Sequence, residues 1–404
     1  MTTDTTTPSD YIEKNSPLFI KVAFALFLGG FATFALLYCV QPMMPVFSKE
    51  FSVSASESSL LISMSTFMLA FGLLLTGPIS DAMGRKSIMI IALLLSSSFT
   101  LLSAIVHNWQ LLLICRALVG ISLSGVAAVA MAYLNEEIAP RHLGVAMGLY
   151  IGGNAIGGMS GRLISGVLID FYSWHIVLGI MSFLALICAI SMWKLLPPSK
   201  HFEPMPIKFS KLLNGYLHHI VQPRLPWLFF QGFLLMGAFV TLFNYIAYRL
   251  IAPPYLLSQA WIGVLSIVYL SGIFSSTTFG SWADRFGHAR VLWIAVVIML
   301  SGALITLFTP ITIVFIGMVI FALGFFGAHS VTSSWIGRCA TKAKGQASSF
   351  YLFCYYIGSS ILGTAGGHFW QSQQWNGVIG YIATILIISL LVALYLKRQT
   401  LKQQ

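Results

Sequence analysis

Long apolar stretches separated by short polar ones set the pattern of this chain. Crossing a hydrocarbon layer as a helix takes ~20 apolar residues. Stretches of about that length recur at roughly 18–40, 57–76, 87–106, 109–133, 143–167 and 174–195, and again at roughly 226–249, 259–280, 289–308, 311–335, 345–368 and 376–396. Between the two sets lies the polar stretch 196–225, with Pro197, Pro198, Pro204, Pro206 and Pro223 among several Lys and His residues. The pattern predicts an all-α membrane protein with twelve transmembrane helices in two six-helix bundles. The boundaries are an N-terminal tail 1–17, a first bundle 18–195, a linker 196–225, a second bundle 226–397 and a tail 398–404.

Composition removes the soluble alternatives. Hydrophobic residues make up 57% of the chain and charged residues 8%, against about 25% charged in soluble domains. A net charge of +11 points to nucleic acid only until the basic residues are placed. Of the 22 Lys and Arg, 18 fall on one side of the predicted spans when the N-terminus is put in the cytoplasm, and only Lys49 lies in an opposite loop. The remaining Arg116, Arg162 and Arg249 fall inside spans or at their ends. That is the positive-inside rule. It places both termini in the cytoplasm and makes nucleic acid unnecessary as a partner. Residues 1–17 carry Asp4, Asp10 and Glu13 and do not read as a secretory signal. Cys39, Cys115, Cys188, Cys339 and Cys354 include no CxxC pair, so they read as small packing residues rather than a metal or disulfide framework.

The two bundles are copies. Residues 77–86 read Gly-Pro-Ile-Ser-Asp-Ala-Met-Gly-Arg-Lys, and 280–290 read Gly-Ser-Trp-Ala-Asp-Arg-Phe-Gly-His-Ala-Arg. Gly77, Asp81 and Gly84 thus recur as Gly280, Asp284 and Gly287, whereas Arg85 and Lys86 become His288 and Ala289. Gly144, Tyr150, Gly157, Gly166 and Trp174 recur as Gly345, Tyr351, Gly358, Gly367 and Trp375. Parallel six-span repeats build transporters with a site at their interface near the bilayer midplane.

On these motifs the chain resembles the major facilitator superfamily. The Gly-x-x-x-Asp-x-x-Gly-Arg-Lys hairpin between spans two and three is that family's most specific signature, and Arg116, Gly120 and Gly125 look like its fourth-span motif. Gly144, Gly153, Gly157, Gly158 and Gly161 are similar to the glycine-rich fifth-span motif of the drug–proton antiporter branch, with Gly158 where Pro is usual. The segment 153–162 is similar to the YnfM-like group of bacterial inner-membrane efflux proteins. The resemblance implies that spans five and eleven, with Gly358 and Gly363 on the latter, meet across the two halves. Packing alone or a sliding surface would each account for their glycines.

The hairpins predict conformational latches. Asp81 and Arg85 are four residues apart and pair if the turn is helical. Gly84 supplies a positive φ for a reversal. With the cytoplasmic gate closed, Asp81 is expected against the partially positive start of span eleven near Gly345, and Asp284 against that of span five near Gly144. Arg116 lies seven residues into its span, roughly 10 Å deep; Arg162 sits near the outer end of its own. Neither can face lipid cheaply, and both, with His329, are relay or coupling candidates. No Asp or Glu falls near the middle of a span, which favours an anionic or polyhydroxylated substrate over a lipophilic cation. Candidate cavity walls are Phe27, Phe31, Phe34, Tyr38 and Gln41 on one helical face, with Asn154, Asn244, Tyr248, Tyr269, Tyr355 and Tyr356.

The sequence reading is a monomeric secondary transporter of the bacterial inner membrane, working by alternating access. Its substrate is a small organic solute (a sugar, an organic anion or an amphipathic compound), its leading mechanism proton-coupled efflux. The proton gradient is its driving force, with no metal or other cofactor. A passive facilitator or importer of the same fold is the alternative. An enzyme or sensor fits less well, because no Asp or His cluster and no sizeable cytoplasmic domain is visible.

Overall fold

The computed structural model describes residues 11–204, 209–340 and 343–401. Most of the N-terminal tail, with Asp4 and Asp10, and Lys208, Lys342 and Lys402 lie outside the described residues. The described residues form helices joined by short turns. The first half holds α1 (Pro17–Tyr38), α2 (Met44–Glu50), α3 (Ala55–Met83), α4 (Arg85–Ile105), α5 (Trp109–Ala127), α6 (Ala130–Glu137), α7 (Leu143–Leu168) and α8 (Trp174–Leu195). After the connecting helix α9 (Phe209–Ile220), the second half holds α10 (Leu225–Ile251), α11 (Gln259–Val264), α12 (Ser271–Phe286), α13 (His288–Ile305), α14 (Ile311–Cys339) and α15 (Lys344–Leu401). A tight 3₁₀ segment, Leu265–Leu270, joins α11 to α12.

Among the described residues, 10 helical stretches are long and apolar enough to cross a membrane. One of them, α15, breaks at Gln373 and Gln374, where φ and ψ leave the helical region, and supplies two spans. The glycine-rich α7, at 26 residues, completes the expected twelve. α1 starts with Ser16 accepting from the Phe19 amide at 3.1 Å and Pro17 in the first turn, where a missing N–H costs little. α3 starts with a capping box between Ser54 and Glu57, which satisfies amides that would otherwise lack partners. Both signature glycines end a helix with a backbone that side chains resist: Gly84 has φ 96° and Gly287 φ 91°. Each turns the chain directly into the next span without a loop.

The bundle therefore has two ends, here called the termini face, which carries Tyr11, the end of α15 and both signature hairpins, and the far face. α1 and α10 are largely buried at its centre. α8 lies outside, where Ile176, Ile180, Phe183, Ile187 and Ile190 form one exposed apolar stripe at helical spacing, suited to lipid tails. On the termini face, Tyr216 of α9 donates its hydroxyl to the Leu74 carbonyl of α3 at 3.4 Å and packs its ring 5.7 Å from Phe350 of α15, so the connecting helix touches both halves. Burial pushes the Tyr216 phenol up to about 12.

The glycine stripes correct one expectation. A side chain at Gly153, Gly157 or Gly161 would collide with the α1 backbone at Phe27, Phe31 and Ala35, and one at Gly358 with α10 at Phe233. Gly363 also faces α10, at Val240 and Asn244. These glycines seat α7 on α1 and α15 on α10, within each half rather than between halves. The close approaches across the halves are made elsewhere. Gly166 leaves only 2.8 Å between an added Cβ and the Gln259 carbonyl, and Gly367 abuts the Ser56 backbone. These two glycines are repeat-related, and each meets the first turn of the second span of the other half.

Candidate substrate site and gates

On the far face the halves are tied together. Asp170, just past α7, accepts from the Gln259 amide (3.0 Å) and the Ala260 amide (2.9 Å) at the start of α11, so a carboxylate of one half caps a helix of the other. Tyr248 of α10 shares its hydroxyl with Ser48 (2.6 Å) and Ser58 (2.5 Å). Along α3 and α15, Ser56 donates to the Thr364 carbonyl (2.9 Å), Ser63 meets the Thr364 hydroxyl (2.6 Å), and Thr66 meets Ser360 (2.7 Å). Small hydroxyl residues of this kind let helix backbones approach and bond across them.

The signature hairpins bond within their own halves. Arg85 pairs with Asp81 and with Glu136 at the end of α6 (2.6 Å), and reaches Ser80 (2.6 Å). The Arg85 side chain is 11% exposed and that of Asp81 42%, so Arg85 is the buried member. In the second copy, where His288 replaces Arg85, Asp284 pairs instead with Arg338 of α14 at 2.6 Å, with both side chains exposed. Lys86 makes no ion pair among the described residues. The space beside Gly144 and Gly345, the expected landing points of the two Asp residues, is open.

Below the far-face ties sits a polar cluster around Arg162. Its guanidinium carbon lies over the rings of Tyr38 (4.0 Å) and Tyr269 (4.5 Å). Nε donates to Gln41 Oε1 (2.5 Å) and Nη1 to the Gly158 carbonyl (2.7 Å). Gln41 Nε2 in turn donates to Asn244 Oδ1 at 2.6 Å. Tyr38, Gln41 and Arg162 belong to the first half, Asn244 and Tyr269 to the second. Gly158, which replaces the usual Pro, supplies the carbonyl that Arg162 binds.

The other candidates divide between the halves. Arg116 is fully buried inside the first half and donates to the Leu36 (3.1 Å), Leu37 (3.0 Å) and Leu61 (3.2 Å) carbonyls. It does not touch the Arg162 cluster. Arg249 binds the Thr306 and Phe308 carbonyls and stacks near Trp375 at the far end of α10. His329 of α14 bonds Tyr351 at 2.7 Å and lies 4.8 Å from Tyr355 and 6.1 Å from Phe325, ring to ring. Tyr356 stands edge-on to Tyr355 at 5.1 Å. Phe31 and Phe34 are half-buried on α1, and Asn154 packs over Gly30 of the same helix.

Residues 26–252 and 234–404 match the Major Facilitator Superfamily. The chain belongs to that family. It is 54% identical over 392 residues to the inner membrane transport protein YnfM of Escherichia coli, covering 97% of this chain and 94% of that one. It is 45% identical over 388 residues to the MFS-type transporter YybF of Bacillus subtilis, covering 96% of each. Among solved structures, a bacterial homologue of the human lysosomal transporter Spinster, inward-facing and occupied, matches with TM-score 0.78 at 14% identity, over 96% of this chain and 99% of that one. A mutant of the nucleoside transporter NupG matches with TM-score 0.77 at 15% identity, over 93% of this chain and 99% of that one. These two likenesses show the fold alone. As a family member, the chain is a multi-pass transporter of the inner membrane and not an enzyme.

Reading the family signature off the sequence missed Glu136, Arg338 and Asp170. Each is a charge beside a span end, and the sequence signals that. Which residue it meets depends on which helices are neighbours, which periodicity does not encode.

Proposed function

We propose that this Major Facilitator Superfamily member exports a small organic solute from the bacterial cytoplasm in exchange for protons, by alternating access, with both termini in the cytoplasm. The observation that carries the reading is one-sided closure. The far face is held by contacts between the halves at repeat-related glycines, Gly166 on Gln259 and Gly367 on Ser56, while both signature Asp residues are occupied within their own halves. A pair of pseudo-symmetric halves joined at one end can rock to join at the other. With the basic face in the cytoplasm, the conformation is inward-facing. In the opposite state Asp81 leaves Arg85 for the start of α15, and Asp284 leaves Arg338 for the start of α7. Asp81 must give up its pairing with the largely buried Arg85 to make the first latch, whereas Asp284 gives up only an exposed pair.

Proton coupling rests on His329. Among the described residues, the carboxylates lie at span ends or outside the spans. His329 sits inside α14 against Tyr351 and Tyr355, where it is the imidazole available to carry a proton. The test is uptake of a solute panel into inverted membrane vesicles, with and without an imposed proton gradient. Gradient-driven accumulation that needs this protein supports the reading. Transport indifferent to the gradient replaces it with a passive facilitator, a reading that the lack of a mid-span carboxylate favours.

A further inference from the structure

The hydrogen bonds around Arg162 fix which atoms face the cavity between the halves. Arg can only donate, so the Gln41 oxygen must face Arg162. The Gln41 amide nitrogen then faces Asn244 and uses its oxygen. What remains is the Asn244 Nδ2 donor and the Tyr269 hydroxyl, each buried and without a partner. The rest of the Arg162 fork is uncommitted as well. No carboxylate of the described residues forms an ion pair with Arg162, although the residue is only 4% exposed. A buried cation whose hydrogen-bond partners are all neutral, with unpaired polar groups in the same cluster, is costly unless a negative charge completes it. Arg162 and Gln41 border a cavity whose wall is mostly apolar, with Phe243, Ile246, Ile262, Leu265 and Met318 beside Ser266.

We infer that this is the anchor for the transported solute, and that the solute is a small monocarboxylate with an apolar or aromatic body; the inference rests on the transporter reading above. The carboxylate takes the free edge of the Arg162 fork and the Asn244 amide, and the body lies against Phe243 and its neighbours. Tyr38 and Tyr269 lie against the guanidinium, and its Nη2 edge carries no hydrogen bond of the described residues, which suits in-plane, two-pronged recognition. One guanidinium neutralises one charge, so a dianion such as a phosphate ester would bring an unmatched charge against an apolar wall. Arg162 belongs to the first half and Asn244 and Tyr269 to the second, so the bound carboxylate joins the halves and favours the far-face-closed state. Gln41 already bridges Arg162 and Asn244 in the same way, and the ligand adds a parallel bridge.

The test is equilibrium binding to the purified full-length protein in detergent, using benzoate and hexanoate against benzamide, benzylamine and phenyl phosphate. Benzoate and hexanoate are expected to bind saturably, and the amide and amine at least about tenfold more weakly, the size of one lost charge-assisted hydrogen bond. Arg162→Gln is expected to lose benzoate binding by a similar factor or more. Asn244→Ala and Tyr269→Phe should lose severalfold, and they keep the question open to test if Arg162→Gln does not fold. Equal binding of benzoate and benzamide overturns the inference, as does native-like benzoate binding by Arg162→Gln, or by Asn244→Ala and Tyr269→Phe together. Tighter binding of phenyl phosphate than of benzoate overturns the monoanion assignment. Binding requires no transport, so the two readings fail separately. Vesicle transport of uncharged solutes without carboxylate binding removes this inference alone, and carboxylate binding without any vesicle transport removes the transporter reading alone.

Discussion

Arg116 and Arg162 are both buried arginines without a carboxylate, yet their surroundings differ. Arg116 gives Nε and Nη2 to backbone carbonyls, while its Nη1 is buried without a partner. Leu36 and Leu37 lie in the last turn of α1, where carbonyls lack helical partners, so Arg116 acts as a side-chain cap that pins α1 to α3 and α5. Replacing it with Leu should remove charge-assisted bonds worth roughly 2–4 kcal/mol net, lowering the thermal midpoint by roughly 5 °C or more. Lys should not rescue, because a point charge cannot span three carbonyls. An Arg116→Leu protein of unchanged thermal midpoint but no transport would return it to the relay role the family resemblance implies. For His329, replacement by Phe keeps the stacking with Phe325 and Tyr355 and deletes the ring nitrogens. Solute exchange between compartments of equal pH should persist, while the extra accumulation driven by a proton gradient disappears. Unaltered gradient dependence in His329→Phe would remove it from coupling. Sequence placed both residues inside spans by counting. It could not separate a helix cap from a cavity cation, because that difference lies in which backbone or side chain stands opposite.

Helix pairing is where sequence and structure part most. The twelve spans and the positive φ of Gly84 follow from apolar length, duplicated motifs and the need for a loopless reversal, although α3 and α12 run on to Met83 and Phe286, past the predicted ends at 76 and 280. The seating of α7 on α1 does not. Gly153, Gly157 and Gly161 mark a face on which another backbone must lie, but a glycine stripe carries no label for its neighbour. Gly157 leaves no room for a Cβ against the Phe31 backbone, so Gly157→Val should force α7 from α1. The expected outcome is loss of monodisperse protein on size-exclusion chromatography. A Gly157→Val protein of native elution and thermal midpoint would contradict the packing. The second asymmetry is at the far face, where Asp170 caps α11 across the halves, whereas its repeat counterpart is Gln371. The start of α3 that Gly367 meets is capped from within its own chain by Ser54 and Glu57. One half therefore supplies a charged tie and the other only close packing. Asp170→Asn keeps the shape and removes the charge, which should weaken far-face closure by roughly two- to fivefold, the range for a carboxylate at a helix start.

Taken as one body, the protein is two copies of a six-helix unit with an acidic latch available at each end. Asp170 ties the far face in the conformation described, and Asp81, paired there with Arg85, is the proposed tie of the termini face in the other. The first half carries Asp170, Asp81 and the Arg162 cation, and the second half carries Asp284 and the Asn244 and Tyr269 side chains. Duplication, spans and hairpins were legible because they are repeated or long. The gates were not, since each consists of single residues brought together from the two halves. The central claim is that the two faces open in alternation, and paired spin labels test it most directly. One pair replaces Phe171 and Phe308 on the far face, and another replaces Met83 and Phe286 on the termini face; all four side chains are exposed. In Asp170→Asn the far-face distance should lengthen and the termini-face distance shorten, and in Asp81→Asn both changes should reverse. Distances that move in the same direction on both faces, or that respond to neither substitution, would contradict the account.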